Sequence, residues 1–233
     1  MKIEVWSDFV CPYCYIGKRR LEIALDKFKD KKNVELVFKS FELDPYAKKK
    51  YDESIYELIA KKYRISLEES KAINKQIIEQ AKELGLDYNF DDLKYTNTFD
   101  AHRISQYAKE EGRMNELSER ILKGYFIEAL DISNHDVLLR LAKEVGLDSK
   151  NVIEVLSSNK YSENVRNDEN TAAKLGIRGV PYFIFNDKYV VSGAQPPQVF
   201  LEILEKISKE EIEMLSQSNN NQNGICIDGK CNI

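Results

Sequence analysis

In "WSDFVCPYCYIG", residues 6 to 17, two cysteines three apart stand where a short alternating run gives way to a helical stripe. Residues 2 to 7 alternate, with Ile3 and Val5 on one face, and residues 34 to 41 (VELVFKSF) alternate again, so both read as strands. Between them Ile16, Leu21, Ala24, Leu25 and Phe28 form the helical stripe, with Pro12 at its first position. Strand, helix, strand dictates a right-handed parallel unit. Cys11 and Cys14 then sit where the first strand feeds the helix.

From about Asp44 to Lys160 the pattern turns to helices punctuated by glycine. Ser66 with Glu69 makes a capping box for a helix that Gly85 ends, and Gly112 and Gly146 close other periodic runs. Residues 162 to 175 read as a helix closed by Gly176, and "GVPYFIFNDKYVVSG" as two short strands around an Asn186-Asp187 turn. A last helix is expected from Pro197 to Leu215, followed by a polar linker, "SQSNNNQNG". The order predicts an α/β chain with a thioredoxin-like fold carrying a large all-helical insertion. Its parts are 1–43 and 161–215 for the thioredoxin-like domain, 44–160 for the insertion and 216–233 for a flexible tail.

Four cysteines in 233 residues are too few for a secreted disulfide scaffold. They form two local pairs, Cys11 with Cys14 and Cys226 with Cys231, and small rings stabilise a fold less than long-range bridges do. Chemistry therefore explains both pairs better than stapling. A net charge of −4, with both signs mixed along the chain, gives no basic footprint for nucleic acid and no polybasic membrane patch. The start "MKIEVWSDF" lacks an apolar signal core and cleavage site, so a cytoplasmic location is expected.

Cys11 falls at the N-cap, where free N–H groups and the helix dipole favour a thiolate. Making Cys11 mostly thiolate near neutral pH requires about 3 kcal/mol. The dipole supplies about 0.3–1 kcal/mol, so a hydrogen bond from Cys14 or a local N–H must add the rest. Lys18, Arg19 and Arg20 lie too far along the helix to contribute more than a background field. Cys11 is accordingly the expected exposed nucleophile and Cys14 the resolving thiol. Pro12 and Tyr13 flank the reacting sulfurs, and Tyr13 adds no positive charge beside Cys11. A reduction potential of about −200 to −230 mV is expected. The competing account is a four-thiolate zinc site shared with Cys226 and Cys231, although a zinc knuckle places each pair in a turn rather than behind a helix-opening proline.

In "GVP", Pro181 opens a strand, where it is either a cis proline or an ordinary loop proline. In the cis form, the Val180 backbone would offer an edge to an extended substrate beside Cys11.

With these motifs in place, the chain resembles the DsbA-type thioredoxin-like oxidoreductases, and within them the FrnE-like branch. The residues carrying the resemblance are "SDFVCPYCYIG" at 7–17, "NTFDAHRI" at 97–104, "AAKLGIRGVPYFIF" at 172–185 and "VSGAQP" at 191–196. It implies that Cys11 and Cys14 are the redox pair, that Pro181 is a cis proline facing them, and that Cys226 and Cys231 match the C-terminal pair of the branch. Tyr13 stands where periplasmic relatives carry histidine, which argues against a strong oxidant. His102, within the second motif, is either a hydrogen-bonded residue packing the helical block or a substrate-pocket residue. His135 is read as a helix-start residue.

In "ICIDGKC", Asp228-Gly229 is a two-residue hairpin signal that sets Cys226 opposite Cys231, about 4.5 Å apart at Cα and within disulfide range. A linker of about ten residues spans about 16–19 Å. The pair is thus either an accessory dithiol relaying electrons to Cys11–Cys14 or a metal-binding end.

The function expected is a cytoplasmic thiol–disulfide oxidoreductase or isomerase acting on protein thiols through a Cys11 mixed disulfide resolved by Cys14. Partners are protein thiols, disulfides or small thiols, without nucleic acid or membrane. No dissociable cofactor or metal is required, with glutathione the candidate reductant or second substrate. The enzyme alternative is a glutathione-dependent isomerase or transferase of kappa-like architecture, whose members usually carry serine at the Cys11 position. The non-enzymatic alternative is a zinc-binding or peptide-holding module.

Overall fold

A computed structural model describes residues 1–222, with side chains described to residue 214. Strands β1 (Lys2–Ser7) and β2 (Glu35–Ser40) run parallel, in register from Lys2–Glu35 to Ser7–Ser40, and α1 (Pro12–Lys27) joins them. Strand β3 (Tyr182–Phe185) pairs antiparallel with the other edge of β1, and β4 (Tyr189–Ser192) with β3, giving the order β2-β1-β3-β4. Asn186 and Asp187 both adopt positive φ, 46° and 55°, as a two-residue hairpin turn of this hand requires.

Alternation decides which face each strand residue covers. Ile3 and Val5 pack with Leu21, Ala24 and Phe28 of the α1 segment and with Phe200 and Leu204 of α9 (Pro197–Gln222). Trp6 points to the opposite face, against Ala172 of α8 (Ser162–Lys174), Ile177 and Ile184. Helices on both faces of a four-stranded sheet form the expected thioredoxin-like arrangement.

Between β2 and α8 lie α2 (Ile55–Tyr63), α3 (Leu67–Lys82), α4 (Phe99–Glu110), α5 (Met114–Phe126), α6 (His135–Glu144) and α7 (Ser149–Ser157). Capping boxes open α2 at Ser54 with Glu57 and α3 at Ser66 with Glu69. The apolar core of this block does not close on itself. Phe9, Val10, Tyr15 and Ile16, on either side of the cysteines, are packed into it with Ile104, Ile121 and Phe126. Each such buried side chain contributes about 1.5–3 kcal/mol. The segment bearing the cysteines is therefore clamped between two layers of structure.

An ionic cluster reinforces the clamp. Lys18, only 7 % exposed, is held by Glu22 at 2.5 Å and by Glu119 of α5. Arg19 bonds both carboxylates at 2.8 Å, and the Tyr15 hydroxyl donates to Glu119 at 2.7 Å.

Helix α9 extends beyond the Leu215 boundary expected from the sequence and includes "SQSNNNQ". Once a helix is nucleated, each added residue gains a bond for one further pair of fixed dihedrals, and no glycine or proline interrupts before Gly224. The rest of the expected linker, together with Cys226 and Cys231, lies outside the described residues. Among the described residues no helix is long and apolar enough to cross a membrane.

Candidate active site

The chain reverses direction between β1 and α1 through a turn in which the Cys11 N–H donates to the Asp8 carbonyl at 3.2 Å. Cys11 is the N-cap of α1, extended at φ −89° and ψ 112°, and Pro12 follows at the first helical position. The Cys14 N–H donates to the Cys11 carbonyl at 3.0 Å, the first bond of the helical turn. Both cysteines are free thiols. The spacing and the helix start thus bring the two side chains together, as the sequence predicts.

Their environments differ in what they permit. The Cys11 thiol donates to the Val180 carbonyl at 3.4 Å rather than capping the helix. At 4 % exposure Cys11 is not the exposed nucleophile expected, because the Val180–Pro181 ledge covers its sulfur. Its access is through a cavity of about 740 Å³ that it lines. Cys14 is 2 % exposed. Burial first, and then hydrogen bonding to the Cys11 sulfur, hold its thiol well above the ordinary value. The Ser7 hydroxyl first, and then the Asp8 N–H, which donates to Cys14 Sγ at 3.4 Å, oppose that rise.

The Val180–Pro181 bond is cis, in agreement with the first of the two readings of Pro181. The Pro181 carbonyl accepts the Gly193 N–H at 2.8 Å, which ties the ledge to the residue after β4. The ring of Pro181 rests on α1 at Gly17, where a Cβ would come within 2.9 Å of Pro181 Cγ.

Pro12, Tyr13, Cys11 and Val180 form one wall of the cavity. Leu58 of α2, Ile77 of α3 and Phe126 of α5 stand in the other. The block between β2 and α8 therefore supplies much of the surface a substrate would meet. The three cations in the first turns of α1 are occupied elsewhere: Lys18 and Arg19 by Glu22 and Glu119, and Arg20 by the Ala194 carbonyl at 2.5 Å.

His102 does not line this cavity. It is 3 % exposed, its ring 4.8 Å from that of Phe9, and its Nε2 lies 3.3 Å from Asp8 Oδ1. His135 opens α6 as expected and reaches Asp100 Oδ2 at 2.8 Å. Among the described residues no three potential ligands gather as a metal site, and the second half of the four-thiolate alternative lies outside them.

Three residues at the site are given no role by the sequence analysis, although Asp8 and Gly17 stand within the motif at 7–17. Asp8 touches Cys14 and His102 at once. The Tyr88 hydroxyl, from the helical block, donates to the Pro12 carbonyl at 2.8 Å. Gly17 admits Pro181. Of the three, only Gly17 leaves a local trace, a glycine inside an otherwise apolar helical stripe.

Comparison with known proteins agrees with this geometry. The family described as the DSBA-like thioredoxin domain matches residues 2–205. A probable DsbA oxidoreductase from Streptomyces coelicolor is 39% identical, with a TM-score of 0.86 over 90% of this chain and 91% of that one. The uncharacterized protein YwbO of Bacillus subtilis is 29% identical over 213 residues, 90% of this chain and 98% of its own. The cytosolic disulfide reductase DsbM of Pseudomonas aeruginosa shares the fold at 14% identity, with a TM-score of 0.63 over 90% of this chain and 99% of its own.

Proposed function

Because the chain belongs to the DSBA-like thioredoxin domain family, we propose that it is a thiol–disulfide oxidoreductase acting on protein thiols, with Cys11 as nucleophile and Cys14 as resolving thiol. One observation carries the reading: a buried Cys14 thiol, its pKa raised by burial and by the neighbouring Cys11 sulfur, stands one helical turn from a Cys11 that opens onto a large apolar cavity beside the Val180 backbone. A protonated Cys14 leaves Cys11 as the attacking sulfur of the first step, and Cys14 must give up that proton before it can resolve the mixed disulfide. An apolar cavity suits unfolded or flexible chains, which expose apolar side chains next to their cysteines.

In the reducing direction the Cys11 thiolate attacks a substrate sulfur, forming a mixed disulfide and releasing the other substrate sulfur as a thiolate. Cys14 then gives up its proton and attacks Cys11 Sγ. The Cys11–Cys14 bond forms and the second substrate thiol leaves, so two electrons pass from the dithiol to the substrate. The oxidising direction is the reverse. Glutathione is the proposed small-thiol partner for returning the pair to its starting state, and the proposed location is the cytoplasm. Isomerisation follows from the same chemistry when the mixed disulfide is resolved by another substrate thiol. Placement in the FrnE-like branch is proposed on the motifs at 7–17, 97–104, 172–185 and 191–196 together with Cys226 and Cys231, the latter proposed as an accessory pair.

The test is trapping. Cys14→Ser should accumulate a stoichiometric mixed disulfide at Cys11 with a reduced-and-reoxidised protein substrate, and Cys11→Ser should form none. A Cys14→Ser protein that never captures substrate would end this reading.

A further inference from the structure

Asp8 is 1 % exposed and bonded at four points, its carbonyl accepting the Cys11 N–H at 3.2 Å. Its Oδ2 accepts the Leu43 N–H at 2.7 Å, its Oδ1 faces His102 Nε2 at 3.3 Å, and its own N–H donates to Cys14 Sγ at 3.4 Å. A carboxylate only accepts, so the imidazole places its hydrogen on Nε2. A buried carboxylate held this way cannot turn without leaving a donor unpaired, which costs more than the bond contributes when made. The Asp8 carboxylate, on the residue whose N–H is aimed at Cys14, is thus held jointly by Leu43 and by a residue 94 positions away.

We propose that His102 is a positioning residue for the second half of the exchange. Acting through Asp8, it fixes the N–H that holds the Cys14 sulfur and so sets how fast Cys14 closes onto Cys11 once a substrate is attached. The inference rests on the Cys11 and Cys14 roles given above. The donor stabilises the Cys14 thiolate that must form before the new bond does, and it opposes the burial that disfavours that thiolate. Cys11 attack precedes this step and does not use the Asp8 donor, so the two halves of the reaction should respond differently.

Charged and titratable groups surround the pair from every side. Lys39 of β2 lines the same small cavity as His102. Glu42, following β2, feels the His102 charge and is bonded to Arg166 of α8 at 2.6 Å. Tyr95, before α4, and Tyr125 of α5 lie within electrostatic reach of the Asp8 carboxylate. Any pH profile of resolution therefore belongs to this group as a whole, and the step-by-step rates are the cleaner readout.

The experiment compares wild type with His102→Leu, His102→Gln and Asp8→Asn. Glutathione disulfide serves as probe, and mixed-disulfide formation at Cys11 and its decay to the Cys11–Cys14 disulfide are timed separately by acid quench and mass. His102→Leu should leave formation unchanged and slow decay about tenfold. His102→Gln, which retains an amide donor near the Nε2 position, should recover most of the rate. Asp8→Asn keeps the peptide N–H and the Leu43 acceptor, weakens the bond to His102, and should slow decay in the same direction. Equal decay in wild type and folded His102→Leu overturns the proposal. If His102→Leu fails to fold, wild-type decay in Asp8→Asn overturns it instead. A wild type that forms no mixed disulfide at all removes the functional reading, and this role with it.

Discussion

Gly17 and Pro181 meet at the contact between α1 and the start of β3, where a Cβ on Gly17 would stand 2.9 Å from Pro181 Cγ and 3.2 Å from Phe183 Cζ. A pyrrolidine ring cannot swing aside as a long side chain can. Alanine at this position would gain about 1 kcal/mol of helix propensity, and overpacking costs about 1–3 kcal/mol. Gly17→Ala should therefore lower stability by about 1 kcal/mol and slow exchange, since the ledge beside Cys11 must shift. Urea unfolding with turnover on a protein disulfide checks both. An alanine variant as stable and active as wild type would show that the ring has room.

Contacts of this kind mark the boundary of what the sequence announces. Pro12 at the first helical position, the Ser66–Glu69 box and the Asn186-Asp187 turn are each settled within about four residues, and all three are legible from the sequence alone. The thiol pair is legible for the same reason. The Asp8–His102 contact spans 94 residues and Lys18–Glu119 spans 101, and no spacing or periodicity in either segment points to the other. His102 stands out only through its motif, which leaves both packing and substrate contact open. The covering of Cys11 is illegible too, because it depends on where residue 180 returns in space. The end of α9 falls beyond Leu215 because a polar composition is not a break, and propagation continues until a residue opposes it.

Burial pushes the Glu42 carboxyl from its ordinary 4.5 up to about 7, against the pull of His102 and Arg166. A folded-state value above the unfolded one means that the native protein binds more protons between those limits. Stability then falls as pH rises from about 4.5 to about 7, by at most about 3 kcal/mol from this group. Glu42→Gln should flatten that slope in urea midpoints measured at pH 5 and pH 7.5. An unchanged slope would assign the proton uptake to another group.

The Lys18 ammonium is buried between Glu22 and Glu119, whereas Lys31 and Asp26 form a pair open to water. Removing one partner of a buried charge leaves the other uncompensated. Glu119→Gln should cost on the order of 1–3 kcal/mol and keep most of that cost in 1 M salt. Asp26→Asn should cost less than about 0.5 kcal/mol and lose even that on screening. Paired unfolding curves at low and high salt test the contrast, and equal salt sensitivity would mean that Lys18 is as well hydrated as Lys31.

Leu58 stands in the far wall of the cavity and is only partly covered, so a charge there can reach water without unfolding α2. A peptide lying along the cavity from Cys11 would bury apolar side chains against that wall. The contribution of one such contact, about 1.5–3 kcal/mol when complete, corresponds to a tenfold or larger change in affinity. Glutathione disulfide is small enough to react at Cys11 without extending to α2. Leu58→Glu should therefore raise KM for a protein disulfide about tenfold, leaving its kcat and the rate with glutathione disulfide near wild type. A uniform loss with both substrates would mean damage to the thiol site itself. Unchanged kinetics with both would mean that substrates enter from the side of the ledge facing away from the helical block.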